Sequence, residues 1–333
     1  MIKRFEVLGT GASLPALRVS SRQLDQEKGL APGTIEERTG VSSRYYAVDE
    51  SASDLAFAAI QQALDKASLS LKDIDCLIAA SGTMEQAIPC NAAKILARLQ
   101  QNMPLNPSIV GFDINMTCLS ALMAMDVAAS LLAAGQYKRI LIVSSEIASV
   151  GLDWQHIEIG GLFGDGAAAL VVAQSPEETC GIHKALFRTY SEGVDLCQIQ
   201  GGGSLHHPSK IKGDYSPYGM FQMQGKELYR LTRKVIKAFC KELLHNKTAS
   251  TEAIDWVILH QASGLALQHF QKLLQFDPNK TIQLLQDHGN QVAVSLPFGL
   301  HTLLTTKPVR QGDRVLLLGT SAGLSIGGLV LQL

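Results

Sequence analysis

The same order of short apolar segments occurs twice in this chain. Residues 74–78 resemble residues 254–258, which lie 180 positions later (254 − 74), and residues 139–143 resemble residues 314–318, which lie 175 positions later (314 − 139). Continuous apolar runs of this length are typical of strands buried on both faces of a parallel sheet. Matching offsets in the same order indicate a duplicated α/β unit, although a chance likeness between short apolar strings is the alternative.

Helical patterns alternate with the strands in both halves, as in parallel α/β proteins. A helix is predicted over residues 51–67 with Ser51 or Ser53 as its N-cap, and residues 20–40 also have a helical pattern. Each half closes with an apolar strand, so we predict one unit over residues 1–173 and a second over residues 174–333. Under this duplication the ligand site lies near the carboxyl ends of the strands, where the halves meet.

Charge and composition exclude several classes of protein. The net charge of −1 leaves no electrostatic footprint for nucleic acid, and no apolar run is long enough to span a membrane. The first residues lack the apolar core of a signal peptide. His206 and His207 have no acidic or thiol partner at ligand spacing, so no metal site is expected. The cysteines lack paired short spacings, which argues against zinc and disulfides and predicts a reduced, cytoplasmic protein; they are Cys76, Cys90, Cys118, Cys180, Cys197 and Cys240.

The stretch from 113 to 132 contains the first candidate for chemistry. A short extended run ends in polar residues at Cys118, and a segment that is small and apolar on nearly every face follows. Such a segment predicts a buried helix, and we expect Cys118 in its first turn. Free N–H groups and the helix dipole would favour the thiolate there, and the thiolate is the nucleophile. The alternative is that Cys118 is a small core residue.

Three more segments carry polar groups at the ends of repeated elements. His260 follows a buried strand, Asn290 ends the turn at 287–290, and a glycine-rich turn over 319–323 leaves the last-but-one strand. Singly, these could be a satisfied polar residue, a turn-forming asparagine and a simple chain reversal. The duplicated fold would bring all of them to Cys118, and a cysteine with a distant histidine and asparagine is a candidate nucleophilic site.

These segments carry a family resemblance that runs nearly from end to end. The chain resembles the β-ketoacyl-acyl-carrier-protein synthase III family, which are condensing enzymes of the thiolase fold. The resemblance includes Cys118 at the start of its helix, and its other motifs are residues 38–41, 163–168, 223–227, 260–262, 288–290 and 319–323.

The resemblance implies a fold, an assembly and a reaction. The expected fold is α/β and thiolase-like, with two duplicated βαβαβαββ halves in a five-layer αβαβα arrangement, and the expected assembly is a homodimer. The implied catalytic residues are Cys118, His260 and Asn290, with the amides of Cys118 and Ala322 as the oxyanion hole. Cys118 would take an acyl group from an acyl-CoA and pass it to the carbanion formed when a malonyl thioester, on a carrier protein or on coenzyme A, loses carbon dioxide.

No cofactor beyond the coenzyme A thioester substrates is expected. His260 and Asn290 would donate hydrogen bonds to the enolate oxygen, and burial would keep His260 neutral. The implied substrate-binding residues are Arg38, Thr39, Ile88, Phe163, Met223, Gly225, Tyr229 and Ser263.

The chain also departs from the family pattern. Thr34 replaces the adenine-stacking Trp, Ile157 replaces an Arg that clamps the coenzyme, and Leu265 replaces a basic residue that docks the carrier. Ile88 stands where head-to-head condensing enzymes have a Glu, although Glu85 lies nearby. The alternatives are therefore a specialised synthase or head-to-head enzyme of secondary metabolism, and an inactive structural partner of a condensing enzyme.

Overall fold

The computed structural model describes residues 2–245 and 253–333. The strands are β1 (Lys3–Arg4), β2 (Glu6–Ser13), β3 (Leu17–Ser20), β4 (Ser43–Tyr46), β5 (Cys76–Ala79), β6 (Val110–Asp113), β7 (Arg139–Glu146), β8 (Gly166–Ala173), β9 (Gly181–Thr189), β10 (Cys197–Ile199), β11 (Phe221–Met223), β12 (Trp256–Leu259), β13 (Thr281–Ile282), β14 (Arg314–Ser321) and β15 (Ser325–Gln332). The helices are α1 (Ser21–Glu27), α2 (Thr34–Thr39), α3 (Ala52–Ala67), α4 (Asn91–Gln100), α5 (Ser120–Ala133), α6 (Ile157–Gly160), α7 (Ser216–Gly219), α8 (Gly225–Leu243), α9 (Gly264–Leu274), α10 (Leu285–His288) and α11 (Ser295–Thr306).

Two main sheets have the same strand order. The first is β2-β8-β7-β5-β6, and the second is β9-β15-β14-β12-β13 with β1 added beside β9. In each sheet the three strands at one end run parallel and the remaining pairs are antiparallel. The topology therefore confirms the duplicated βαβαβαββ unit predicted from the repeated segments. The division at residue 173 stays a prediction, and β1 joins the second sheet.

The apolar clusters show how the layers stack. Helices α5 and α11 lie in the cluster between the two sheets, which contains Leu122 and Met125 from α5 and Leu300 and Leu303 from α11. Helices α3 and α4 cover the outer face of the first sheet, and α8 and α9 cover the outer face of the second. This is the five-layer αβαβα arrangement. Because α5 is covered by a sheet on each side, it has no polar face, as its sequence predicted.

Local sequence determines several of the helix ends. Ser51 caps α3 as expected: its Oγ accepts the Asp54 N–H at 3.1 Å, and the Asp54 carboxylate accepts the Ser51 N–H at 3.1 Å. The single helical pattern predicted over 20–40 is wrong in detail. Two short helices, α1 and α2, lie there because Gly29 and Gly33 adopt positive φ between them. In the described residues, no helix has the length and apolarity needed to cross a membrane.

Candidate active site

Cys118 lies in a tight turn between β6 and α5. The Asn115 Oδ1 accepts the Thr117 N–H at 2.9 Å, and Thr117 has a φ of 47°. Helix α5 begins at Ser120, with Leu119 as its N-cap. The expectation that Cys118 occupies the first turn of the helix is therefore wrong, because the left-handed residue before it delays the helix by two positions.

The surroundings of the Cys118 thiol oppose ionisation. The backbone amides of Cys118 and Ala322 both face the sulfur and lower its pKa, as expected of an oxyanion hole built around it. Burial has the larger effect and raises the pKa of the thiol, and the nearby Cys197 and Glu146 raise it further. Burial thus opposes the resting thiolate that the sequence predicts, whereas the two amides favour it, and the protonation state of the resting thiol stays a prediction.

His260 follows β12 and is 4% exposed. Its backbone N–H donates to the Leu318 carbonyl at 2.8 Å, which extends the pairing of β12 with β14. Burial lowers the pKa of His260 to about 4, so the ring is neutral at neutral pH. Its Nδ1 is buried and has no hydrogen-bond partner within residues 2–245 and 253–333. A neutral ring in this position can donate a single N–H to a bound oxygen.

Asn290, 5% exposed, joins the two halves of the molecule. Its backbone N–H donates to the Leu162 carbonyl at 2.9 Å, and its carbonyl accepts the Gly164 N–H at 3.1 Å. Its Nδ2 donates to the Ala262 carbonyl at 3.2 Å, two residues beyond His260. Its Oδ1 accepts the Val292 N–H at 2.9 Å. These bonds hold the amide in one orientation beside the histidine segment.

Two glycines show how closely these segments approach one another. A methyl group built on Gly319 would come within 2.6 Å of the His260 Cβ and 3.3 Å of the Leu119 Cδ2. A methyl group built on Gly82 would come within 2.9 Å of the Val292 Cγ1 and 3.2 Å of the Thr117 Cα. The contacts thus gather the Cys118 turn, the His260 segment and the Asn290 turn at the carboxyl ends of the strands, and the Ala322 amide faces the sulfur.

An apolar wall adjoins the cysteine. Phe163 packs edge-on against Phe221, with ring centroids 4.9 Å apart, and Cys118 and Met223 pack against the same cluster. Of the predicted substrate-binding residues, Phe163 belongs to the cluster against which Cys118 packs, and Met223 packs against the same cluster. This wall suits an acyl chain more than a charged substrate group.

The remaining predicted binding residues lie in elements around that wall. Arg38 is exposed and pairs with Glu158 at 3.2 Å, whereas the Thr39 hydroxyl donates to the Ile35 carbonyl at 2.7 Å within α2. The Ser263 Oγ accepts the Ala266 N–H at 3.2 Å and so caps α9. Gly225 begins α8, and Tyr229 of that helix packs edge-on against His269 with ring centroids 5.3 Å apart. Thr39 and Ser263 are thus occupied locally.

Ile88 is 85% exposed in the loop between β5 and α4. Glu85 of the same loop is already bound: it accepts the Ser53 N–H at 2.9 Å and pairs with Lys94 at 3.0 Å. The neighbouring acid is therefore not free to act in place of the glutamate that Ile88 replaces.

Thr34 and Ile157, at two of the departures from the family pattern, make contacts within the protein. The Thr34 Oγ1 donates to the Ala31 carbonyl at 2.6 Å. Ile157 packs against the buried cluster of Val19, Leu24 and Ile35, as Trp154 does, and the Lys28 Nζ lies 4.5 Å from the centroid of the Trp154 ring. In this protein Thr34 and Ile157 therefore contribute to local packing and hydrogen bonding.

Sequence reasoning missed two groups beside the thiol, Cys197 and Glu146. Cys197 begins a short strand after a glycine-containing turn, with no pattern to connect it to Cys118. Glu146 ends the buried apolar strand β7, and a charge at the end of such a strand was the available signal. Among residues 2–245 and 253–333, no group of three His, Cys, Asp or Glu side chains is placed to hold a metal ion.

Comparison with known proteins identifies the family. The model of 3-oxoacyl-[acyl-carrier-protein] synthase III matches residues 112–191, that of its C-terminal part matches residues 244–333, and the thiolase N-terminal domain matches residues 36–150. The β-ketoacyl-[acyl-carrier-protein] synthase III of Clostridium perfringens is 31% identical over 332 residues, which cover 100% of both chains. The chain belongs to the β-ketoacyl-[acyl-carrier-protein] synthase III family. The enzyme of the same name from Neisseria meningitidis is 30% identical over 98% of both chains.

Solved structures agree with this family assignment. The 3-oxoacyl-[acyl-carrier-protein] synthase III of Aquifex aeolicus superposes with a TM-score of 0.86 at 27% identity, covering 99% of this chain and 100% of that one. The corresponding enzyme of Pseudomonas aeruginosa gives a TM-score of 0.86 at 25% identity, covering 99% and 98%. The thiolase-like fold is thereby confirmed, and the chain is an acyltransferase of the ketosynthase III type.

Proposed function

We propose that this chain condenses an acyl-CoA with a malonyl thioester, carried by an acyl carrier protein or by coenzyme A, to form a β-ketoacyl thioester. The observation that carries the proposal is the Cys118 thiol, which two backbone amides face and which lies where the His260 and Asn290 segments meet. The full-length relatives are named for this synthase activity.

In the first half-reaction the Cys118 sulfur attacks the acyl carbonyl carbon. The amides of Cys118 and Ala322 stabilise the oxyanion of the tetrahedral intermediate. Collapse breaks the carbon–sulfur bond to coenzyme A, which leaves as the free thiol with the proton that Cys118 gives up. The thiolate is the form that attacks, so the proton leaves the sulfur before or during the attack, and the two amides then stabilise the charge of the oxyanion.

In the second half-reaction the malonyl thioester loses carbon dioxide. The electrons of the broken carbon–carbon bond form an enolate, whose oxygen accepts hydrogen bonds from the neutral His260 ring and the Asn290 amide. The enolate carbon then attacks the acyl-Cys118 carbonyl, and the Cys118 sulfur leaves and regains a proton. Burial of both donors strengthens these hydrogen bonds, because water does not compete for them.

The proposed assembly is a homodimer in which a second copy covers the loop around Ile88. Met84 and Ile88 are large apolar side chains exposed in the loop after β5, and Val110 is a third, at the start of the edge strand β6. Exposed apolar groups beside a free strand edge favour association. Ile88 would then face the acyl site of the partner.

Leu265 replaces the basic residue that would dock a carrier protein, but another basic surface is available on helix α8. Helix α8 exposes Lys226, Arg230, Arg233 and Lys234. These side chains would attract an acidic carrier, and coenzyme A as the extender's carrier is the alternative.

Mass spectrometry of the intact protein tests the acyl-enzyme. After mixing with a series of acyl-CoA thioesters, we expect one acyl group per chain on Cys118 and none in Cys118→Ala. Cys90→Ala is the matched control, because Cys90 is the exposed thiol of the Ile88 loop and should not be acylated. Labelling that persists in Cys118→Ala and disappears in Cys90→Ala would refute the assignment.

A further inference from the structure

A buried carboxylate that the proposed reaction does not use lies beside Cys118. Glu146 is the last residue of β7, and its side chain is 0% exposed. Buried carboxylates are costly unless hydrogen bonds satisfy them. The partners of Glu146 therefore indicate what it holds in place.

In the described ranges, the partners of the Glu146 carboxylate are donors from segments that meet at the active site. Its Oε1 accepts the Gly82 N–H, and its Oε2 accepts the Thr83 hydroxyl and, at 2.9 Å, the Thr83 N–H. The Ala293 N–H, from the second half of the molecule, faces the same carboxylate. An ionised carboxylate is acceptor-only and so matches this set of donors.

These donors connect Glu146 to both of the proposed active-site turns. Gly82 is packed between Thr117, which precedes Cys118, and Val292, whose N–H donates to the Asn290 Oδ1. Ala293 follows Val292 directly. A displacement of the Gly82–Thr83 backbone would therefore shift the thiol and the Asn290 amide relative to each other.

We propose that Glu146 is a positioning residue, whose carboxylate holds the Gly82–Thr83 and Asn290–Ala293 segments around Cys118 and whose charge restrains the reactivity of the thiol. The part that concerns turnover rests on the proposed condensation, whereas the part that concerns the thiol does not. Displacements of about 1 Å at such a site are enough to cost about 100-fold in rate.

The charge effect follows from the groups around the sulfur. Cys197 and Glu146 raise the pKa of the Cys118 thiol, and the amides of Cys118 and Ala322 lower it. His260 is neutral above pH 5 and adds no charge there. The pKa of Glu146 itself is raised to about 7 by burial, so its charge is present above that pH. Glu146→Gln removes this charge. The NH2 group of the new amide would also face the N–H and hydroxyl donors that bind the carboxylate.

The test measures Cys118 alkylation by iodoacetamide from pH 6 to 9, together with condensation kinetics. In Glu146→Gln we expect alkylation at pH 8 to be about three- to tenfold faster, because tenfold in thiolate corresponds to one pKa unit. We expect kcat about tenfold lower with KM changed less than twofold, as for an interaction made in the transition state.

Asp75→Asn is the matched control. Asp75 lies beside the opposite end of β7, where its Oδ2 accepts the N–H groups of Lys138 and Arg139 at 2.8 and 3.0 Å. Like Glu146, Asp75 accepts hydrogen bonds from backbone N–H groups, but it does not contact the site. Asp75→Asn should therefore lower thermal stability and leave the kcat and the alkylation profile unchanged. Equal effects of the two substitutions on both readouts would overturn the proposal.

Thr83→Val tests the positioning role of Glu146 separately from the effect of its charge. It also serves if Glu146→Gln does not fold. It removes one hydroxyl donor and keeps the carboxyl group, which is still ionised at pH 9, so kcat should fall about twofold to fivefold while the alkylation rate at pH 9 is unchanged. A wild-type kcat in Thr83→Val would contradict the positioning role. If wild type condenses no thioester but Glu146→Gln still shifts the alkylation profile, the proposed function fails and the charge effect stands.

Discussion

The turn that carries Cys118 and the turn that carries Asn290 are copies of one structure. Asn115 and Asn290 lie 175 positions apart, and the Oδ1 of each accepts the N–H of the residue two positions later at 2.9 Å. Those later residues, Thr117 and Val292, have φ values of 47° and 50°. Three residues further on in each half begins the helix that lies between the sheets, α5 or α11.

The copies extend to the strands beside the turns. The Asn115 Nδ2 donates to the Gly82 carbonyl at 3.5 Å, and the Asn290 Nδ2 donates to the Ala262 carbonyl at 3.2 Å. At the other end of the strands, Asp75 accepts the Arg139 N–H at 3.0 Å and Asp255 accepts the Arg314 N–H at 2.9 Å. The same backbone is therefore built twice, with the same side chains supporting it.

The difference lies in the side chains that the shared backbone presents. Cys118 of the first half corresponds to Ala293 of the second, and His260 of the second half corresponds to Ala80 of the first. Asn290 is buried at the site, whereas Asn115 is exposed. The first half thus supplies the cysteine, and the second half supplies the histidine and the asparagine. The duplication preserved the backbone geometry, while the residues of the proposed chemistry are divided between the two copies.

The largest expected effect separates the two asparagines. His260→Ala and Asn290→Ala should each form acyl-Cys118 normally and lose about 100-fold or more in decarboxylation, the usual cost of one oxyanion donor. Asn115→Ala should slow acylation instead, by about tenfold, because the Cys118 turn loses the side chain that holds Thr117. Single-turnover measurements of acylation, and of carbon dioxide release from preformed acyl-enzyme, distinguish the steps. Equal defects of Asn115→Ala and Asn290→Ala in both steps would show that the copies are not divided in function.

A smaller effect, on stability, compares the two left-handed residues. Thr117→Gly should stabilise the fold by about 1 kcal/mol, because it relieves a strained φ and removes a buried hydroxyl that lacks a partner in the described part of the chain. Val292→Gly should destabilise it by about 1 kcal/mol, because Val292 also packs in the apolar wall and its burial outweighs the strain. Urea unfolding of both variants measures the difference. If both substitutions change the free energy of unfolding in the same direction, the predicted difference between the two turns is wrong.

The smallest expected effect concerns the exposed loop of the first half. Ile88→Ala should shift acyl-chain preference toward longer chains by a few-fold in kcat/KM, which is less than the roughly 10- to 200-fold that one methylene is worth in an enclosed apolar pocket. The melting temperature of the dimer should change little, because Ile88 is one side chain of the proposed interface and contributes little to the core of its own chain. Kinetics with an acyl-CoA series, and light scattering for the dimer, provide the measurements. A monomer in solution would remove the basis of this prediction, and an unchanged chain-length profile would remove the pocket role of Ile88.

The amino-acid sequence determined the repeated strands, the Ser51 cap and the residues at the ends of the strands, because these depend on local hydrophobic periodicity and local hydrogen bonds. Burial after an apolar strand already predicts a neutral His260, and the structure agrees. Tertiary structure alone decided the electrostatics of the thiol, because the raised pKa of Cys118 comes from burial by segments far apart in the chain, which no local pattern encodes. The late start of α5 and the contact of Glu146 with both halves have the same origin, since the sheets must pack before Gly82, Thr117 and Val292 meet.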